Sequence, residues 1–229
     1  MTIKLRTEQP ADYAETEHVT REAFWNHYSP GCNEHYLLHI MRGSPSFIPE
    51  LDVVAVHGGR IVGNIVYAKS VIRTDDGKEC EVLGMGPISV LPEYQRRGIG
   101  RQMIEHTKMK AREMGFRAIL LYGDPDYYSR HGFVAAETLG IRTADDMYAA
   151  ALQVCELQEE ALSGRKAVTW KLPCMILMKS APPNLTCIFR QRRWSPELRR
   201  KSALRKLPPC GEKRIREPET GNPCTLRMS

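Results

Sequence analysis

The sequence predicts an α/β (α+β) domain, and three stretches carry that prediction. Residues 51–56, 61–72 and 79–91 are rich in β-branched and apolar side chains. They are separated by His57-Gly58-Gly59-Arg60 and by Thr74-Asp75-Asp76-Gly77-Lys78, turn chemistry that joins antiparallel strands into a meander. The third run leads through Gly98-Ile99-Gly100 into residues 101–115, where Met103, Ile104, Met109, Ala111 and Met114 recur at helical spacing. A short apolar strand, 117–122 with Ala118-Ile119-Leu120-Leu121 at its centre, follows that helix. A meander that runs on as strand, loop, helix and strand is the signature of a sheet with helices packed against it.

The remaining elements follow in order. Residues 2–7 alternate, with Ile3 and Leu5 facing one way, and predict a first strand. Residues 11–25 predict a helix with Pro10 near its start and Tyr13, Val19, Phe24 and Trp25 buried. Ser29-Pro30-Gly31 ends it, and 34–41 forms a second, short helix. Residues 126–131 predict a further helix, after which Phe133 opens a strand. Residues 147–157 are ambiguous, because Ala149-Ala150-Ala151-Leu152 favours helix by propensity.

At 229 residues the chain fits one domain plus an extension. Its net charge of +6 conceals a division: residues 1–164 hold 17 Lys and Arg against 23 Asp and Glu, and residues 165–229 hold 16 against 4. The sequence therefore predicts a domain at 1–162 and a basic, disordered tail at 163–229, punctuated by Pro182-Pro183 and Pro208-Pro209. Such a tail could touch nucleic-acid or membrane phosphates, although a solvated tail without function is the simpler reading. An abrupt change of composition also fits a shifted reading frame. No run reaches membrane-spanning length and the first residues lack an apolar leader, so a cytoplasmic location is expected. The cysteines form no C-x-x-C pair and read as free thiols. His18, His27, His39, His57 and His106 show no metal-ligand spacing, so no metal is expected.

The chemistry concentrates where the third meander strand ends. Leu91-Pro92-Glu93 stops the strand, and Gly98 and Gly100 stand where a loop winds into a helix. The first N–H groups of a helix have no partners inside it, and its dipole favours negative charge there. Glycine lets a diphosphate approach such amides closely, while Gln95, Arg96 and Arg97 add donors and positive charge. A Rossmann dinucleotide site would need a third glycine after Gly100-Arg101-Gln102-Met103, and none is present.

Gln95-Arg96-Arg97-Gly98-Ile99-Gly100 resembles the Q/R-x-x-G-x-G/A signature of GNAT-type N-acetyltransferases, and the wording from Gly86-Pro87 onward resembles their YhbS-like branch. Tyr128-Ser129-Arg130-His131-Gly132-Phe133 resembles the Y-x-x-x-G-F block that closes the fourth helix of that family. The resemblance spans about residues 1–162. It implies a mixed, mostly antiparallel sheet in which the strand at 117–122 lies parallel to the one ending at Leu91 and splays from it. It also favours a strand at 147–157. The implied cosubstrate is acetyl-CoA, its diphosphate held by Gln95, Arg96, Arg97, Gly98, Ile99, Gly100 and Arg101. Its pantetheine arm would lie along Ile88, Ser89 and Val90, with the Val90 N–H polarising the thioester carbonyl. Asp124 stands where many relatives carry asparagine beside that arm. Tyr128 is the implied acid for the departing thiolate. Glu81 is the first candidate for the base, with Glu22, Glu34, His35 and Asp124 as alternatives. The implied activity is acetyl transfer to a primary amine by direct attack in a ternary complex. The rival is a catalytically weak acyl-CoA-binding or interaction module with a basic tail.

Overall fold

The predicted meander is the spine of the sheet. The computed structural model describes residues 1–27 and 31–162, and the backbone of 168–171. These residues fall in the first of two units of the chain, Met1–Ile188. Nine strands among them form one sheet: β1 (Lys4–Thr7), β2 (Val53–His57), β3 (Arg60–Thr74), β4 (Glu79–Val90), β5 (Ala118–Tyr122), β6 (Val134–Ala135), β7 (Ile141–Arg142), β8 (Leu152–Glu156) and β9 (Val168–Lys171). The order is β1-β2-β3-β4-β5-β8-β6, with β9 beside the second half of β3 and β7 beside β9. Only β4–β5 and β7–β9 are parallel, so the sheet is mixed and mostly antiparallel. The ambiguous segment resolves as strand β8, because pairing with β5 and β6 outweighs the helical propensity of the alanines before it. β9 carries the sheet past residue 162. The basic tail from 172 onward lies outside the described residues, as does the turn tripeptide up to Pro30.

Helices cover both faces. α1 (Tyr13–Phe24) and α2 (Glu34–Arg42) lie on one side, where Leu38 and Met41 meet Val66 and Ala68 of β3. α3 (Ile99–Glu113) lies on the other, where Ile99, Met103, Ile104 and Ala111 join Tyr67, Leu83 and Met85. The alternation of strand side chains sends Tyr67 one way and its neighbours Val66 and Ala68 the other. Among the described residues no helix is long and apolar enough to cross a membrane.

Burial departs from the sequence pattern in two places. Met109 and Met114 recur at helical spacing with Met103, Ile104 and Ala111, but both are exposed. Thr107 and Lys108 take the inner positions instead. Thr107 can do so because its hydroxyl meets the buried Tyr67 hydroxyl at 2.7 Å, and Lys108 because its ammonium donates to the His131 carbonyl at 2.6 Å. A buried polar side chain with a partner loses much of its desolvation penalty. Trp25 was expected inside and is exposed, because α1 ends at Phe24 and the chain turns away.

A charged cluster ties α1 and α2 to the sheet. Arg42 at the end of α2 reaches Glu8 at 2.9 Å, Glu17 at 2.8 Å and Thr16 at 2.7 Å, with its guanidinium 4.0 Å from the Tyr13 ring centre. Asp52 is buried against Glu8. Loss of solvent, then the neighbouring Glu8 carboxylate, push the Asp52 carboxyl up to about 9. The folded protein thus keeps a proton on Asp52 that the unfolded chain releases near 3.8. Between those two values the folded state binds more protons, so this group's contribution to stability declines as pH rises. The slope is at most about 1.4 kcal/mol per pH unit. Urea midpoints for Asp52→Asn should depend less on pH between 5 and 8 than those of the wild type; an identical slope would place the proton elsewhere.

Candidate active site

The strand that leads into the glycine loop is interrupted. Ile65 of β3 faces Ile88 of β4, yet Tyr67 faces Met85, so β4 carries an extra residue around Gly86-Pro87. Pro87 has no N–H for the ladder, and Gly86 has a φ of 126°, open to glycine. This bulge bends β4. The parallel ladder to β5 consists of Leu83↔Ile119 and Gly84↔Leu120 and goes no further. Beyond it β4 continues to Val90 with no strand paired on that side among the described residues, and a gap opens between the two strands.

The ladder with β3 fixes what faces the gap. Leu91 donates to Val62 at 2.9 Å, so the adjoining Val90–Gly63 pair is a non-hydrogen-bonded one. The backbone N–H and C=O of Val90, and of Ile88 two residues earlier, therefore point away from β3 into the gap. The Gln95 side chain caps the Val90 carbonyl at 3.0 Å, leaving the amide. Ser89 points to the other face. It is buried with Thr20 of α1 at 3.0 Å and with Asn64, so its side chain serves the packing of α1 and only its neighbours reach the gap.

The loop after β4 forms a nest of amides. Arg96 (φ 61°) and Gly98 (φ 79°) are left-handed, which turns successive N–H groups toward one concave side. The backbone amides of Arg96, Arg97, Gly98, Ile99, Gly100 and Arg101 have no acceptor among the described residues; the first amide of α3 with one is that of Gln102, to Gly98. Arg96, Arg97 and Arg101 are exposed and form no ion pair among the described residues; Arg97 lies 5.7 Å from the Tyr94 ring. Val90, Tyr94, Gln95, Arg96, Gly98 and Ile99, with Gly100, Arg101 and Tyr127, line a cleft of about 280 Å³. The arrangement can hold a diphosphate and direct a chain attached to it along the free edge of β4.

The block after β5 builds the opposite wall. The Asp124 side chain accepts from the Asp126 N–H at 3.0 Å and so caps α4 (Pro125–Tyr128). Asp124 does not line the cleft. Tyr128 is buried in the α3-side core, packed edge-on against Phe133 at 5.6 Å and Tyr127 at 5.0 Å. Its ring covers Gly123, where a Cβ would meet Cδ2 at 2.7 Å, so glycine is required there. Tyr127 faces the cleft itself. The sequence singled out Tyr128 from the spacing to Gly132; nothing in the spacing distinguished the cleft-facing role of its neighbour.

Glu81 is not brought to the cleft. It lies on β4 before the bulge, on the face of Leu83 and Met85, with 55 % of its side chain exposed and Lys69 at 3.6 Å. Of the alternatives, Glu22 pairs with Arg21 at 2.9 Å. His35 is buried 3.2 Å from the Cys32 sulfur, and Glu34 accepts from the Asn33 N–H at 2.9 Å. Among the described residues no group of His, Cys, Asp or Glu could hold a metal ion.

Comparison with known proteins agrees with this geometry. Residues 50–135 match the model of the acetyltransferase (GNAT) domain. The chain is 27% identical over 160 residues to the uncharacterized N-acetyltransferase YhbS of Escherichia coli K12, covering 70% of this chain and 90% of that protein. The structure of Escherichia coli YhbS in complex with CoA superposes with a TM-score of 0.63, over 74% of this chain and 89% of that one. A GNAT family acetyltransferase from Brucella melitensis in complex with acetyl-CoA superposes with a TM-score of 0.59 at 26% identity, over 76% of this chain and 98% of that one. Residues 50–135 thus form an acetyltransferase (GNAT) domain, and the chain is homologous to the YhbS-like N-acetyltransferases.

Proposed function

We propose that this protein transfers the acetyl group of acetyl-CoA to a primary amine by direct attack in a ternary complex. The observation that carries the proposal is the run of amides from Arg96 to Arg101, uncapped among the described residues, which opens onto an edge of β4 that none of those residues pairs. The CoA and acetyl-CoA bound by the two homologous structures support the identity of the cosubstrate.

In this reading the amides of the loop, with Arg96, Arg97 and Arg101, hold the diphosphate. The pantetheine arm lies along Ile88 and Val90 as an added strand. The amine nitrogen attacks the thioester carbonyl carbon, and the Val90 N–H stabilises the charge that develops on oxygen. The C–S bond breaks as the intermediate collapses, and the sulfur takes the proton of the Tyr128 phenol. The amine's own proton leaves through water, with Glu81 as the receiving carboxylate; its exposure suits a relay rather than direct contact. Asp124 acts on the arm only by capping α4.

The test is acetyl-CoA turnover, read with a thiol-detecting dye, against a panel of amines. Thiol release with at least one amine is the expected result. CoA binding without release for any amine favours the binding-module rival. For an active amine, Tyr128→Phe should lower kcat by about 100-fold, within the usual range for a general acid, with little change in KM for acetyl-CoA. Unchanged kcat removes Tyr128 as the acid.

A further inference from the structure

The two adjacent tyrosines of α4 stand in different places. Tyr128 lies in the core. Tyr127 lies in the wall of the cleft that the amide nest also lines. A Cβ placed on Gly100 would come within 2.7 Å of the Tyr127 hydroxyl oxygen. That hydroxyl therefore rests on the second residue of α3, beside the uncapped amides of Ile99, Gly100 and Arg101. It has no hydrogen-bond partner among the described residues.

The ring is held rather than free to swing. Tyr128 packs edge-on against it at 5.0 Å, and the His131 ring does so from the other end of the turn at 4.9 Å. His131 is itself fixed, because the buried Lys108 ammonium binds its carbonyl. The Asp124 cap sets the start of the same short helix. A phenol clamped in this way loses little side-chain entropy when it engages a ligand. Burial raises the Tyr127 pKa above its ordinary value, so the hydroxyl stays protonated at neutral pH and is available as a donor.

We propose that Tyr127 is a diphosphate-binding residue: its hydroxyl donates a hydrogen bond to the same phosphoryl oxygens that the α3 amides hold, from the wall of the cleft beside Gly100. The inference rests on the acetyl-CoA reading above. It divides the labour of the pair, with Tyr127 on affinity and Tyr128 on turnover. It also gives Gly100 a second reason to lack a side chain, since a methyl there would displace the donor.

Tyr127→Phe keeps the ring and its packing and removes only the oxygen. Calorimetry with CoA should show about a 10-fold weaker Kd, the size expected for a hydrogen bond to a charged group. Phosphorus NMR of CoA at saturation should show the diphosphate resonances displaced between wild type and variant, and the 3′-phosphate resonance unmoved. Equal affinity for CoA overturns the proposal. Weaker affinity with unmoved diphosphate resonances also overturns it, since the ring would then act by packing alone. Absence of CoA binding by the wild type would instead bring down the reading on which the proposal stands, and the proposal with it.

Discussion

Gly98→Asp is expected to abolish CoA binding while leaving the protein folded. Gly98 sits at φ 79°, ψ 6°, and a Cβ built there meets nothing within 4 Å. Aspartate is among the few side chains that tolerate this left-handed conformation, so the fold should accept it. The cost falls on the ligand. The carboxylate would stand in the concave side of the amide nest, roughly 4 Å from a diphosphate that also carries negative charge. At an effective dielectric of about 20, two such charges repel by about 4 kcal/mol. That corresponds to about a 1,000-fold loss of affinity. Gly98→Asn, with the same shape and no charge, should bind CoA within about 10-fold of wild type on the same scale. Calorimetry on the pair separates charge from shape. Wild-type affinity in Gly98→Asp means that the diphosphate lies elsewhere.

The second large effect is on stability. Arg42→Met should destabilise the protein by about 3–5 kcal/mol, the range for removing one partner of a buried ion pair. The Arg42 side chain is 6 % exposed and Glu8 1 %, so neither charge can turn to water when the other is lost. Glu8 would be left facing Asp52 with no cation between them and solvent. Glu8 must then take up a proton, as Asp52 already does, or the packing of α1 and α2 on the sheet must open. Urea unfolding measures the loss, and Arg42→Met with Glu8→Gln should recover part of it, because the stranded charge is gone. A single variant as stable as the wild type would show the cluster to be open to water. Removal of the exposed Lys69–Glu81 pair, by contrast, should change stability by less than about 1 kcal/mol.

The parts of the fold that were legible are those set by local chemistry. The turns at His57–Arg60 and Thr74–Lys78, the proline that stops β4 and the glycines before α3 each act through backbone geometry within a few residues. The diphosphate loop was readable for the same reason: the amides that line it are contiguous in the chain. The bulge at Gly86-Pro87 left a trace, a glycine and a proline inside an apolar run, which marks a place where ladder pairing fails. What burial decided was not readable. Met109 looks like a core residue on an isolated helix and Thr107 does not, yet Thr107 is the buried one, its hydroxyl meeting that of Tyr67 on the facing strand.

From the chain alone came the order of strands and helices in the central part and the positive, glycine-lined mouth for an anion, because each is dictated by neighbours in sequence. Folding in three dimensions settled which side of β4 each residue faces. It opened the gap beside Val90, turned Glu81 toward Lys69 and solvent, and set Tyr127 rather than Tyr128 against the amides of α3. Those choices depend on a one-residue bulge and on contacts between segments far apart in the chain, and a strand's two faces differ by a single residue of register.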